Sequence, residues 1–445
     1  MATSNYGKII RLAFPIILAN ASVPLLGIAD TAAIGRTGAA ADLGAIALAT
    51  LVFSFVYWGF GFLRMGTTGF VAQAHGSQNE TEIKALFFRA SMIALAIGVA
   101  LISLQYPIKH IALSLMDASA EVKSGVAAYF DIRIWGAPAT LITFVLMGTF
   151  IGMGWTKKLL WIQLFLNGLN IALNLLFVLV FNFKISGIAL GTVIAEWVTL
   201  LLAAKIVMDN LAISNLSIVF REIKNEIFDR IKIIALFKVN ADIMIRTLAL
   251  LAGFAWFANQ GAIFGDEVLA ANHILLQFVS FSAFFLDGYA YVAEMLSGKA
   301  YGAKDKQAFV RNMKDSTVIS GLSALVLAVL MAVAGGLFIQ WLTQDVAVQD
   351  IAKNYLLYAS IYILVSFAAF QLDGIFVGTT QSKAMRNATL LALVVFIGLG
   401  TYLTDLYANK GLWLAFIAYV VFRAIGLLLY LPKVLSAMNK KIAPK

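Results

Sequence analysis

Apolar residues run in long stretches along this chain, and polar residues are confined mostly to short intervals between them. About 20 mostly apolar residues are what a helix needs to cross the hydrocarbon core of a bilayer. Twelve such runs are present, at 9–34, 43–72, 86–106, 126–154, 159–182, 186–208, 233–259, 268–296, 316–342, 352–378, 388–407 and 411–432. They predict an all-α integral membrane protein of twelve transmembrane helices. Strands of a lipid-facing β-barrel would be about ten residues long and alternate in polarity, so that architecture is excluded. The first run is too long for the apolar part of a cleavable leader and no small-residue cleavage site follows it, which predicts a retained first helix.

The longest polar connection, 209–232, follows the sixth run and divides the chain. The predicted organisation is an amino-terminal six-helix lobe (1–208), a cytoplasmic linker (209–232) and a carboxy-terminal six-helix lobe (233–445). An offset of 226 residues aligns Leu43-Gly44-Ala45 with Leu269-Ala270-Ala271, Ala74-His75-Gly76 with Ala300-Tyr301-Gly302, Gly148 with Gly374, Gly152 with Gly378 and Lys157 with Lys383. One offset that holds for helix and loop residues alike indicates an internal repeat. The corresponding spans enter from the same side, so the two bundles are expected to be related by a pseudo-two-fold axis along the membrane normal and to enclose a central cleft.

Composition sharpens this picture. With 61% hydrophobic and 13% charged residues, the chain lies far from a soluble domain, in which about a quarter of residues are charged. The net charge of +10 would suit a nucleic acid, but its distribution points elsewhere. One set of alternate loops collects 22 of the 33 Lys and Arg residues, among them Lys157, Lys158, Lys304, Lys306, Lys440, Lys441 and Lys445. The opposite set holds only Arg36, Lys109, Lys123, Lys184, Lys353 and Lys410. By the positive-inside rule both termini are cytoplasmic, in the cytoplasmic (inner) membrane, and no nucleic-acid partner is needed. Cysteine is absent, which excludes disulfides, thiolate metal sites and cysteine nucleophiles. The three histidines, His75, His110 and His273, stand singly, and HExxH, P-loop and GxSxG motifs are missing. Neither an enzyme nor a cofactor or metal site is expected.

Ionisable groups inside spans are costly and usually face a cavity or a partner. Asp30 lies in the first run, on one helical face with Gly27, Thr31 and Ile34. Loss of water favours the neutral form of a carboxyl group, so Asp30 is a candidate for taking up and releasing a proton. Pro15 and Pro24 on the same run each remove a backbone hydrogen bond and favour a kink. Asn167, Asn170 and Asn174 form a polar stripe on the fifth run, with Thr192 and Glu196 one turn apart on the sixth. Amides and a hydroxyl serve a carboxyl in either protonation state or offer neutral oxygens to a monovalent cation. Such stripes equally bind helices together. In the second half Lys238, Asp242 and Arg246 are spaced as an intrahelical charge ladder, while Gln277, Asp287, Glu294 and Asp373 sit on the eighth and tenth runs. Acids converging from different helices would bind a cationic substrate or share protons.

The phrase GIADTAAIG (27–35), with LDGYAYVAEMLSGKAYGAKD (286–305), LDGIFVGTTQSKAMRN (372–387), ISGIALGTVIAEW (185–197) and NADIMIRTL (240–248), resembles the multidrug and toxic compound extrusion (MATE) family, in its DinF branch. The resemblance spans the chain. It implies a V-shaped transporter of two six-helix lobes that exports small organic molecules in exchange for protons or sodium. It further implies that Asp30 is the principal coupling residue, that Pro15 is associated with bending of the first helix, and that Asn170, Asn174 and Thr192 belong to the amino-terminal polar network. Asn240, Asp242, Arg246, Asp287, Glu294 and Asp373 match branch motifs in the second half. Many members of the branch carry aspartate where this chain has Asn174, so its pocket offers one carboxylate fewer. A desolvated sodium ion benefits from anionic ligands whereas a proton needs only one titratable group, which favours proton coupling. The expectation is therefore a monomeric proton-coupled efflux antiporter for lipophilic or cationic compounds, working by alternating access. A sodium-coupled antiporter and a lipid-linked oligosaccharide flippase are the alternatives. The substrate itself is not legible.

Overall fold

The computed structural model describes residues 5–37, 40–116 and 118–439. Lys440, Lys441 and Lys445 of the basic count lie outside the described residues, as do the extreme ends of both predicted lobes. The first two apolar runs each fold as a pair of helices, α1 (Tyr6–Ala21) with α2 (Val23–Thr37), and α3 (Ala40–Gly59) with α4 (Phe62–Gly76). The third is α5 (Glu80–Ser103), followed by the short α6 (Gln105–Ser114). The fourth comprises α7 (Ala120–Arg133) and α8 (Ala137–Gly152), joined by a 3₁₀ turn. The fifth and sixth are α9 (Thr156–Leu175), which ends in a π turn, and α10 (Lys184–Asn210). The linker forms two short helices, α11 (Leu216–Glu222) and α12 (Lys224–Ile227). The second half consists of α13 (Arg230–Ile263), α14 (Asp266–Gly302), α15 (Lys306–Leu342), α16 (Val346–Gly378) and α17 (Ser382–Ala437).

Ten helices among the described residues, taken across their short breaks, are long and apolar enough to cross a membrane. One of them, α17, is two helices joined at Ala408, where the backbone leaves the helical region (φ 49°, ψ −133°). The reversal there brings Gly411 so close to the preceding helix that a Cβ would lie 1.9 Å from the Leu403 carbonyl oxygen, which leaves glycine as the only residue that fits. Beside the ten stands α13, with 34 residues. Counting α17 as two and adding α13 gives one helix for each of the twelve apolar runs.

The helices pack as two compact units. One comprises Leu18–His75 and Asn79–Leu236; the other joins the chain up to Ile17 and Gly76–Gln78 to the chain from Phe237 onward. The division thus falls inside α1, two residues beyond Pro15. Within the second unit, Ile17 packs so tightly on α14 that a Cβ at Gly288 would lie 2.3 Å from its side chain. Within the first, the linker is tied down by Arg89, whose guanidinium donates to the carbonyl oxygens of Ile227 (3.1 Å) and Glu226 at the end of α12. Those carbonyls have no partner inside so short a helix, and a buried arginine supplies one.

The sequence repeat reappears in the atoms. In the first half Gly148 and Gly152 of α8 press on α4, where added Cβ atoms would lie 2.5 Å from the Arg64 carbonyl oxygen and 2.9 Å from that of Thr68. In the second, Gly374 and Gly378 of α16 press on α14, at 2.4 Å from the Ala290 carbonyl oxygen and 2.2 Å from that of Glu294. All four pairs obey the same 226-residue offset. Both are close helix crossings of the GxxxG kind, in which small residues let backbones touch. The turns repeat too: Gln78 (φ 55°) corresponds to Lys304 (φ 57°) and Gly154 (φ 77°) to Thr380 (φ 53°). The following helices are capped alike, Asn79 accepting from the Glu82 amide at 2.9 Å and Asp305 from the Ala308 amide at 2.8 Å.

Candidate functional site

The first membrane segment is interrupted at Ser22, between α1 and α2. Pro15 lies buried inside an unbroken α1, whereas Pro24 is the second residue of α2, where its missing N–H costs no hydrogen bond. The expected kink at each proline is therefore realised as a single break at Ser22. The Ser22 hydroxyl donates to the Ala19 carbonyl oxygen (2.7 Å) and accepts from Asn167 Nδ2 of α9 (2.7 Å), so the break is pinned at both sides.

Two turns further along, Asp30 is half-buried on α2 and faces the same helix α9. Asn174 Nδ2 donates to Asp30 Oδ1 at 2.7 Å and to Asn170 Oδ1 at 2.6 Å. Asn170 Oδ1 also accepts from the Thr192 hydroxyl of α10 at 3.4 Å, a contact secondary to the 2.8 Å bond from that hydroxyl to the Ile188 carbonyl oxygen. Three of the residues singled out in sequence, Asn170, Asn174 and Thr192, thus join Asp30 in one network. Asn174 Oδ1 is buried without a partner, against Gly191 of α10, where a Cβ would come within 2.2 Å. With its NH₂ between two oxygens the amide satisfies both acceptors. The π turn Leu176–Val180 follows directly, a geometry found often at functional sites.

Glu196 is not part of this network. It forms a two-pronged ion pair with Arg133, at 2.7 Å and 2.5 Å, with both side chains at most a tenth exposed. Arg133 also lies over the rings of Tyr57 (5.1 Å) and Phe53 (5.4 Å). Buried Tyr129, one turn before it, is close enough to Asp30, Arg133 and Glu196 to interact with all three charges. Nothing local in the sequence singles out Arg133, because its partner lies 63 residues away.

The second half departs from its sequence pattern in the same manner. The ladder expected along α13 gives way to pairing across helices: Asp242 binds Arg386 (2.6 Å) and Ser382 (3.0 Å) of α17, and Arg246 binds Asp373 of α16. Arg423 of α17 reaches the same Asp373 oxygen, Oδ2, at 2.7 Å. Asp373 and Asp242 are therefore neutralised by arginines, and not clustered as free acids. Gln277 is exposed and contacts His273 (3.1 Å), while Glu294 and Asn240 are buried and Asp287 half-buried. Among the described residues no group of three or more His, Asp or Glu side chains is placed to hold a metal ion. A groove of about 590 Å³ between α3 and α6, lined by Leu51, Phe55, Ile111 and Leu115, is apolar and contains none of these residues.

The polar network on α2, α9 and α10 sits in a chain with recognisable relatives. The MatE family model matches residues 15–176 and 247–402, one segment in each half. DNA damage-inducible protein F of Escherichia coli K12 is 33% identical over 428 residues, covering 96% of this chain and 92% of its own length. The multidrug resistance protein NorM of Vibrio cholerae is 25% identical, covering 92% and 91%. The solved structure of a MOP superfamily transporter from Pyrococcus furiosus shares the fold, with a TM-score of 0.85 at 18% identity over 99% of this chain and 98% of that one. The chain is a multi-pass membrane transporter, not an enzyme, and belongs to the MatE family of multidrug efflux transporters, in the branch of DNA damage-inducible protein F.

Proposed function

We propose that this chain is a proton-driven antiporter that exports lipophilic or cationic organic compounds across the cytoplasmic membrane by alternating access. Asp30 carries the coupling proton, and both termini lie in the cytoplasm. A single chain suffices, with lobes at 1–208 and 233–445 and the linker 209–232 between them. The observation that carries the reading is the contact of Asn174 with Asp30. An amide that turns its donors toward both Asp30 and Asn170 favours a carboxylate waiting for a proton. The reversed amide would set three oxygens together, as a sodium ion prefers. Protonation removes the charge that holds this donor, which frees α2 to move about the break at Ser22 and lets α1 bend near Pro15.

The test is dye efflux from proteoliposomes under an imposed pH gradient and, separately, an imposed sodium gradient. Efflux driven by the pH gradient in the wild type and lost in Asp30→Asn is the expected result. Efflux driven by sodium alone, or robust efflux by Asp30→Asn, overturns the coupling assignment.

A further inference from the structure

The linker helices α11 and α12 are far too short to cross a bilayer, yet they do not hide all of their apolar residues. Val219, Ile223 and Ile227 recur every four residues and are buried, so they form the inner side of the segment. Leu216 and Ile218 of α11 and Phe228, which follows α12, keep 46%, 54% and 47% of their surface exposed. The Phe228 ring meets Phe220 edge-on at 6.0 Å, and Phe220 meets Phe88 of α5 at 5.6 Å. One edge of Phe228 is therefore packed and the rest is open.

The height of this segment is fixed from both sides. Arg89, which binds the last carbonyls of α12, stands nine residues along α5 from Glu80, roughly 13 Å at the helical rise. The exposed apolar stripe of α13 begins at Ile231, four residues after α12 ends, and continues through Ile234, Ile245 and Leu248. On a membrane-spanning helix such a stripe faces lipid, so the linker lies where hydrocarbon gives way to headgroups.

Charge at this level is of one sign. Arg221, Lys224 and Arg230 are exposed against a single exposed acid, Glu222. Glu226 and Asp229 are half-buried, and Asp229 accepts from the amides of Ile231 (2.8 Å) and Lys232 (3.2 Å) at the start of α13. Lys232 is itself held by Glu82 at 2.6 Å. Half-exposed apolar side chains among solvated bases are what a segment lying in the plane of an anionic lipid surface presents.

We infer that residues 216–230 are an interfacial element whose partner is an anionic lipid surface. Leu216, Ile218 and Phe228 enter the boundary between headgroups and acyl chains, and Arg221, Lys224 and Arg230 collect anionic headgroups. The inference depends on α5 and α13 crossing the membrane, and on neither the coupling ion nor the direction of transport.

The chain contains no cysteine, so one introduced thiol carries one fluorophore. Ile218→Cys, Phe228→Cys and, as the water-facing control, Glu80→Cys are labelled in the full chain and placed in nanodiscs of phosphatidylcholine with phosphatidylglycerol. Quenching is read with iodide in the water and with phosphatidylcholine or phosphatidylglycerol that carries a nitroxide high on its acyl chain. The expected result is that iodide quenches the Glu80→Cys label and spares the other two, which the nitroxide lipids quench. Phosphatidylglycerol is expected to be favoured over phosphatidylcholine by about fivefold per base at the surface, a preference that Arg221→Gln/Lys224→Gln reduces. Ile218→Cys suffices if Phe228→Cys does not fold. Iodide quenching at Ile218→Cys as strong as at Glu80→Cys, or equal quenching by the two lipids in the chain with its bases intact, overturns the inference. Energy transfer between labelled copies in place of lipid quenching overturns it as well, and assigns the surface to a second copy of the chain.

Discussion

Asn174 on α9 donates to Asp30 on α2 across 2.7 Å, which sets an amide against the one carboxylate of the network formed with Asn170 and Thr192. Replacing the amide by an acid puts a second negative charge at hydrogen-bond distance from the first. Asn174→Asp is expected to strengthen the response to sodium relative to the wild type, read as efflux driven by an imposed sodium gradient. Asp30→Asn in the same background removes it. An Asn174→Asp protein whose sodium response equals that of the wild type would show that the acid count does not select the ion.

The Arg133–Glu196 pair is buried and two-pronged, so its halves cannot be removed singly without leaving a charge behind. Arg133→Met should destabilise the protein by about 3–5 kcal/mol, read as a lowered thermal midpoint in detergent. The double variant Arg133→Met/Glu196→Leu should recover most of that loss. A double variant as unstable as the single one would assign the arginine a role beyond neutralising Glu196.

Glycines offer a contrast between filled and open space. Gly378→Ala puts a methyl group 2.2 Å from the Glu294 carbonyl oxygen, so α14 and α16 have to separate, at a cost of about 1–3 kcal/mol. Gly27→Ala on α2 meets nothing within 4 Å. It should raise stability by about 0.4–1 kcal/mol, because alanine restricts the unfolded chain. Thermal unfolding of the two variants side by side checks both signs.

The break at Ser22 yields a kinetic prediction. Ser22→Ala and Asn167→Leu each remove the 2.7 Å bond that anchors the break to α9, and the double variant should be no worse than the more damaging single one. Pro15→Ala restores a backbone donor inside α1 and should stiffen it. The expected outcome is slower efflux with an unchanged or higher thermal midpoint. Unaltered turnover in Pro15→Ala would place the bend elsewhere.

Apolar run length and a constant offset were sufficient to read the fold, because both are local or periodic properties of the chain. All twelve runs became helices, and Gly148, Gly152, Gly374 and Gly378 were visible as a repeat before their backbone contacts were known. Asn170 and Asn174 were likewise legible, since helical spacing places them on one face. The charge pairs were not. Spacing along α13 suggested that Asp242 would be served by Lys238 and Arg246, yet Arg386 lies 144 residues away and holds it. A ladder partner on the same helix competes with any arginine that the fold brings closer, and sequence spacing is silent on the latter. Arg133 and Arg423 escaped notice for the same reason, as did Ser22, whose significance comes from a helix break and not from its own chemistry.

The paired glycine contacts limit how the protein can move. Where α8 lies on α4, and α16 on α14, the backbones meet with no side chain between them to slide or repack. A joint without spare volume transmits displacement as a clamp does, so each of these helix pairs keeps its register through the working cycle. Deformation is then left to segments whose hydrogen-bond ladders are already interrupted, at Ser22 and at the π turn beyond Asn174, and both adjoin the Asp30 network.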